Sequence, residues 1–110
     1  MSADISTDVL VVGAGAAGMY AALAASEAGA DVVVADKNLV GRGGATIMAQ
    51  MTVAAALGDE EPDSPELHYE DTLTAGRELC QADLAQLICT DAPQRIREMG
   101  AWGKIGRAHV

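Results

Sequence analysis

The stretch that most constrains this chain is Asp8–Lys37, DVLVVGAGAAGMYAALAASEAGADVVVADK. Val9–Val12 is a continuous apolar run, the pattern of a strand buried on both faces of a parallel sheet. Gly13, Gly15 and Gly18 follow as G-x-G-x-x-G, at the point where a strand hands over to a helix. There the first glycine permits a tight turn, the second lets the backbone approach a diphosphate, and the third lets the helix pack closely on the strand. Unpaired N–H groups and partial positive charge at the helix start attract that anion. Ala-rich sequence carries the helix to Ala28, and Gly29 supplies its stop. Val32–Val34 read as a second strand. Asp36, eighteen residues beyond Gly18, stands where a carboxylate accepts hydrogen bonds from ribose hydroxyls. The glycine pattern alone is weak evidence. The strand before it, the helix after it and the acid that closes the unit make it a dinucleotide-binding βαβ motif rather than a purely structural one.

At 110 residues the chain is about one small domain. Half of it is apolar, yet it has no Phe and only Trp102, Tyr20 and Tyr69 as aromatics, so any core must be aliphatic. The formal charge is −9, with acid concentrated at Asp59, Glu60, Glu61, Asp63 and Glu66. Such a balance, without a basic patch, argues against nucleic acid or an anionic membrane surface as partner. Cys80 and Cys89 lack neighbouring His or Cys ligands and read as reduced thiols of a cytosolic protein. The N-terminus has no basic, apolar leader, and no apolar run reaches membrane-spanning length. The expected location is cytoplasmic, with any membrane association through partner subunits.

Past the first unit, Asn38–Gly44 is loop-like, with Gly41, Gly43 and Gly44 around Arg42. Ala45–Leu57 is apolar and small, and is expected as a short helix with an extended continuation, walling a cavity or filling a core. An acidic linker with Pro62 and Pro65 leads to a helix over Glu66–Cys80, which Gly76 weakens or ends early. A second helical stretch, Ala82–Met99, has Leu84, Leu87, Ile88, Ile96 and Met99 as apolar positions. Pro93 is expected to kink it or start a new helix, and Gly100 to end it. No third strong strand follows residue 57, so the sheet is unfinished. His68 has a surface or packing role as its simplest reading, and nothing forms a Ser–His–Asp set, a metal cluster or a Walker loop.

With these residues in hand, the chain resembles the N-terminal part of the succinate dehydrogenase/fumarate reductase flavoprotein family, whose relatives include L-aspartate oxidase and the adenylylsulfate reductase α subunit. The likeness covers Asp8 to about Gly103 and rests on VVGAGAAGMYAAL, ADK, RGGATIMAQ and HYEDTLTAGRELCQADLAQLICTDAPQRIREMGAWG. It implies an α/β chain: an incomplete Rossmann-like βαβ FAD-binding domain, truncated at 1–103 and followed by helices. It further implies that Gly13, Ala14, Gly15, Ala16, Ala17 and Gly18 bind the FAD diphosphate and Asp36 the adenosine ribose. Lys37, Arg42, Gly43, Gly44, Ala45, Thr46 and Gln50 would run along the flavin. Members with covalent FAD carry a histidine in the loop corresponding to Gly43–Ala45. Its absence here implies dissociable FAD. Where the family has Ala-Gln-Gly-Gly, this chain has Ala49, Gln50, Met51 and Thr52, so the likeness of the contacts ends at Gln50.

The implied function is an FAD-dependent oxidoreductase that, in a full-length parent, moves a hydride between flavin N5 and a small acid substrate. An iron–sulfur partner subunit belongs to the same implication. The alternative is an NAD- or nucleotide-binding module without flavin chemistry. Residues 41–57 discriminate between the two, because a Gly-Thr-Gln segment beside a flat ring suits flavin. No catalytic residue or metal ligand is expected within the chain. Its last residues, KIGRAHV, depart from the family and back-translate as AAG ATC GGA AGA GCA CAC GTC, similar to the start of a short-read sequencing adapter. Residues 104–110 are therefore expected to be read-through.

Overall fold

A computed structural model describes residues 2–49 and 52–103, so the expectation for 104–110 lies outside the described residues. The chain divides into two units, 1–52 and 53–110.

In the first unit, β1 (Val9–Val12), α1 (Ala16–Glu27) and β2 (Val32–Ala35) form one βαβ unit. The strands pair in parallel, with Val9 beside Val32 and Val12 beside Ala35. Side chains fix where the ladder begins. The Asp8 carboxylate accepts the Asp31 N–H at 2.8 Å, and the Thr7 hydroxyl donates to the Asp31 carbonyl at 2.7 Å. The Gly13 N–H carries the ladder past β1 by donating to the Ala35 carbonyl at 2.7 Å. Helix α1 packs on both strands and ends at Ala28, with Gly29 left-handed at φ +89°.

One expectation fails here. β1 is not buried on both faces: Leu10 and Val12 are 59% and 81% exposed. A two-stranded sheet with one helix covers one face only, and alternation along a strand sends every second side chain to the other. The stretch after the loop is a three-residue 3-10 turn, Thr46–Met48, with extended backbone at Ala49. Ile47, Met48 and Val53 are more than half exposed.

In the second unit, α2 (Pro65–Gly76) packs against α3 (Ala82–Ala101). The start of α2 follows from D-S-P: Ser64 is the N-cap, its hydroxyl accepting the Leu67 N–H at 3.2 Å, and Pro65 takes the first helical position. The helix ends at Gly76, the early end that this glycine suggested, four residues short of Cys80. Arg77 and Glu78 both turn left-handed, at φ +48° and +65°. A Cβ on Gly76 would run into the Cys80 sulfur, so a side chain there would make that thiol swing aside.

Helix α3 runs through Pro93 without a break, so no second helix starts there, and it ends at Ala101, one residue past the expected Gly100. Proline inside a helix removes one hydrogen bond and crowds the preceding turn. Here Pro93 is buried, in line with Ala85 and Cys89 at i, i+4 and i+8. The burial of that small-residue stripe offsets the lost bond, and small side chains allow close approach to α2. Of the apolar positions read from the sequence, Leu84, Leu87 and Ile88 are 49%, 61% and 64% exposed on a neighbouring face, while Ile96 and Met99 are half-buried. An Asp91–Arg95–Glu98 ladder, with contacts of 3.3 and 2.8 Å, supports the helix on its wet side.

Cys80 and Cys89 are free thiols, both in contact with Thr72. The Thr72 hydroxyl donates to the His68 carbonyl at 2.7 Å, which uses its one proton. The 3.5 Å contact with Cys89 is therefore a thiol donating to the hydroxyl. Cys80 donates to the Thr72 carbonyl at 3.6 Å.

Candidate functional site: the glycine-rich turn of the first unit

The turn between β1 and α1 is built from close approaches that side chains would prevent. Gly13 has φ +106°, a conformation that L side chains rarely adopt, although a Cβ there would meet nothing within 4 Å. Gly18 is constrained by space instead. A Cβ on it would strike the Gly13 carbonyl oxygen, come within 2.9 Å of the Gly13 carbonyl carbon, and press on Val11 at 3.3 Å. The first turn of α1 therefore rests directly on the backbone leaving β1. Ala14, between the two, is buried at 2% exposure.

Helix α1 has no capping side chain of its own, since its N-cap is Gly15. Thr46 supplies the cap from thirty residues away: its hydroxyl accepts the Ala16 N–H at 2.9 Å. A Cβ on Gly15 would lie 3.1 Å from the same oxygen, so Gly15 makes room for Thr46. The Met19 N–H bonds to the Gly15 carbonyl at 2.9 Å. Among the described residues the N–H groups of Ala17 and Gly18 have no acceptor. The start of α1 thus presents two open donors and the positive end of a twelve-residue helix.

β2 brings Asp36 to this place. Its last residue, Ala35, pairs with Gly13, so the exposed Asp36 carboxylate follows directly beside the turn and accepts the Lys37 N–H at 3.0 Å. The structure therefore gathers Gly13–Gly18, Asp36 and Thr46. Lys37, Arg42, Gly44 and Ala45 lie exposed on the loop that follows, and neither cation forms an ion pair among the described residues. Gly43 packs against the Asn38 side chain, whose amide nitrogen a Cβ would meet at 2.6 Å. Gln50 lies outside the described residues.

Sequence reasoning placed Thr46 along the cofactor but missed its cap on α1. The available signal was a helix that starts on glycine, which must borrow its cap from elsewhere. The second unit offers no comparable assembly. His68 is half-buried, and its Nδ1 is buried without a hydrogen-bond partner. No group of three or more His, Cys, Asp or Glu that could hold a metal occurs among the described residues. No helix among them is long and apolar enough to cross a membrane.

Comparisons with known proteins bear on this turn. The family model described as an FAD binding domain matches residues 8–109. L-aspartate oxidase of Streptomyces coelicolor is 46% identical over 99 residues, covering 90% of this chain and 17% of the relative. One subunit of the fumarate reductase (CoM/CoB) of Methanothermobacter marburgensis is 34% identical, covering 89% of this chain and 18% of the relative. A chain of the Mycobacterium smegmatis Sdh1 complex in the apo form superposes with a TM-score of 0.85 at 36% identity, covering 94% of this chain and 17% of that one. The chain thus spans under a fifth of the length of the relatives it matches. The match favours flavin over nicotinamide at a turn whose architecture alone admits either. With its βαβ unit, its glycine contacts and this match across nearly its whole length, the chain belongs to the FAD binding domain family found in oxidoreductases of the succinate dehydrogenase and fumarate reductase type.

Proposed function

We propose that residues 1–103 are the N-terminal part of the FAD-binding domain of a full-length oxidoreductase, which moves a hydride between the flavin and a small acid. The observation that carries this reading is the pair of open donors, Ala17 N–H and Gly18 N–H, on a turn that only glycine at 13 and 18 can close. That is the environment a diphosphate requires: backbone donors, a helix dipole and no side chain in the way. Gly13, Ala14, Gly15, Ala17 and Gly18 would hold the diphosphate, with the Ala16 N–H given to Thr46, and Asp36 would hold the adenosine ribose. Lys37 and the stretch from Arg42 through Gly43, Gly44, Ala45 and Thr46 to Gln50 would flank the flavin. When bound, FAD supplies the hydride chemistry, and the protein's part is to bind, orient and exclude water.

Attachment is non-covalent in this reading, since Arg42–Gln50 contains no histidine. A small acid substrate and an iron–sulfur partner subunit belong to the parent. Large side chains left open here, Val12, Leu10, Leu84, Leu87 and Ile88, would be covered by the rest of that parent. Acid precipitation of the purified full-length parent tests the cofactor and its attachment together. The expected result is a yellow supernatant and a colourless pellet. Flavin fluorescence that stays with the denatured polypeptide on a gel would refute non-covalent binding, and a colourless native protein that takes up no FAD would refute the reading itself.

A further inference from the structure

Resting on that reading, we infer that Thr46 holds the cofactor's diphosphate through its hydroxyl proton, and that Ala16 serves the site only through Thr46. The argument is a count of donors. A backbone N–H gives one hydrogen bond, and the Ala16 N–H gives its bond to the Thr46 oxygen at 2.9 Å. A threonine hydroxyl that accepts in this way still has its own proton to donate. That proton finds no acceptor among the described residues, and Thr46 is exposed. The hydroxyl therefore stands at the start of α1 as a third donor beside the open N–H groups of Ala17 and Gly18.

The bond from Ala16 also polarises the hydroxyl. It places the positive end of α1 behind the oxygen, which strengthens the outward O–H as a donor to an anion. Gly15 completes the arrangement by leaving 3.1 Å between its missing Cβ and the Thr46 oxygen. The loop that carries Thr46 is otherwise tied weakly: its 3-10 turn has three residues and no side-chain cap. The diphosphate then binds the β1–α1 turn and the 46–48 turn at once, and Thr46 is the positioning residue that joins them.

The test uses full-length parent stripped of flavin, titrated with FAD and with ADP, which carries the diphosphate but no flavin. Thr46→Val keeps the shape and removes the hydroxyl, so both ligands should bind roughly 10- to 100-fold more weakly, the range for losing one hydrogen bond to a charged group. Thr46→Ser keeps the hydroxyl and should stay within about threefold of wild type. Thr46→Val also removes the cap on Ala16, so its unliganded thermal midpoint, measured alongside, should fall slightly below wild type, while Thr46→Ser should match wild type. If Val unsettles the loop, Thr46→Ala, which leaves space instead of a methyl group, gives the same reading. Unchanged or tighter binding by Thr46→Val and Thr46→Ala would overturn the inference, because the hydroxyl would then be a placeholder that the diphosphate displaces. Wild-type protein that binds neither FAD nor ADP would instead remove the site itself, a failure distinct from that of Thr46.

Discussion

Gly18 in α1 and Gly100 in α3 are in opposite situations, and the same substitution at each should act with opposite sign. At Gly18, a Cβ would strike the carbonyl oxygen of Gly13 and approach its carbonyl carbon to 2.9 Å. Both atoms are backbone, so no side chain can swing aside. At Gly100, a Cβ would meet nothing within 4 Å. Alanine is preferred over glycine within a helix by about 1 kcal/mol, and that gain is available at both positions. Overpacking costs about 1–3 kcal/mol, and contact with backbone puts Gly18→Ala at the upper end. The net expectation is about 2 kcal/mol lost at Gly18 and up to about 1 kcal/mol gained at Gly100. Amide hydrogen exchange on the full-length parent reads each locally. Val9–Val12 amides should exchange roughly 30-fold faster in Gly18→Ala, and α3 amides up to about fivefold slower in Gly100→Ala. FAD affinity should fall in the first variant alone. Equal protection of β1 in wild type and Gly18→Ala would show that α1 does not rest on the Gly13 carbonyl, and the account of the turn would fail with it.

Two further outcomes follow from the second unit and from the chain's extent. Cys80 is partly exposed and Cys89 is 1% exposed, so a thiol reagent should label the first in the native protein and the second only on unfolding; native labelling of Cys89 would contradict the α2–α3 packing. The 110-residue chain alone, given FAD, should neither oxidise succinate with an artificial acceptor nor reduce fumarate with a reduced dye above the rate of free flavin. Turnover in either direction would place the chemistry within these residues.

The first unit was legible because its signals are local and redundant. An apolar run, three glycines at fixed offsets, an alanine-rich helix and a closing acid all specify one βαβ unit, and β1, α1 and β2 fall within a residue or so of expectation. The expected start of α2 at Glu66 falls one residue after the observed Pro65. What escaped depends on partners distant in sequence. The cap on Ala16 comes from Thr46 on another loop. Pro93 broke the expected helix on paper because the local cost of a proline is visible and the burial that offsets it is not.

The apolar positions of α3 carry a physical lesson of their own. Hydrophobic periodicity identifies which residues share a helix face, but not which of two faces a given neighbour takes. Ala85, Cys89 and Pro93 hold little apolar surface, yet they form the buried stripe, while Leu84, Leu87 and Ile88 remain open. A helix pair gains from small residues when closeness itself is the benefit: it brings Thr72 within 3.5 Å of the Cys89 sulfur. The larger side chains then remain for a second, wider contact, at about 1.5–3 kcal/mol for each side chain fully buried. Covering what remains exposed of the three would yield roughly half of that for each, about 3 kcal/mol in all. In the full-length parent proposed above, that open face would meet a second neighbour, and the stronger apolar signal of α3 would belong to it rather than to α2.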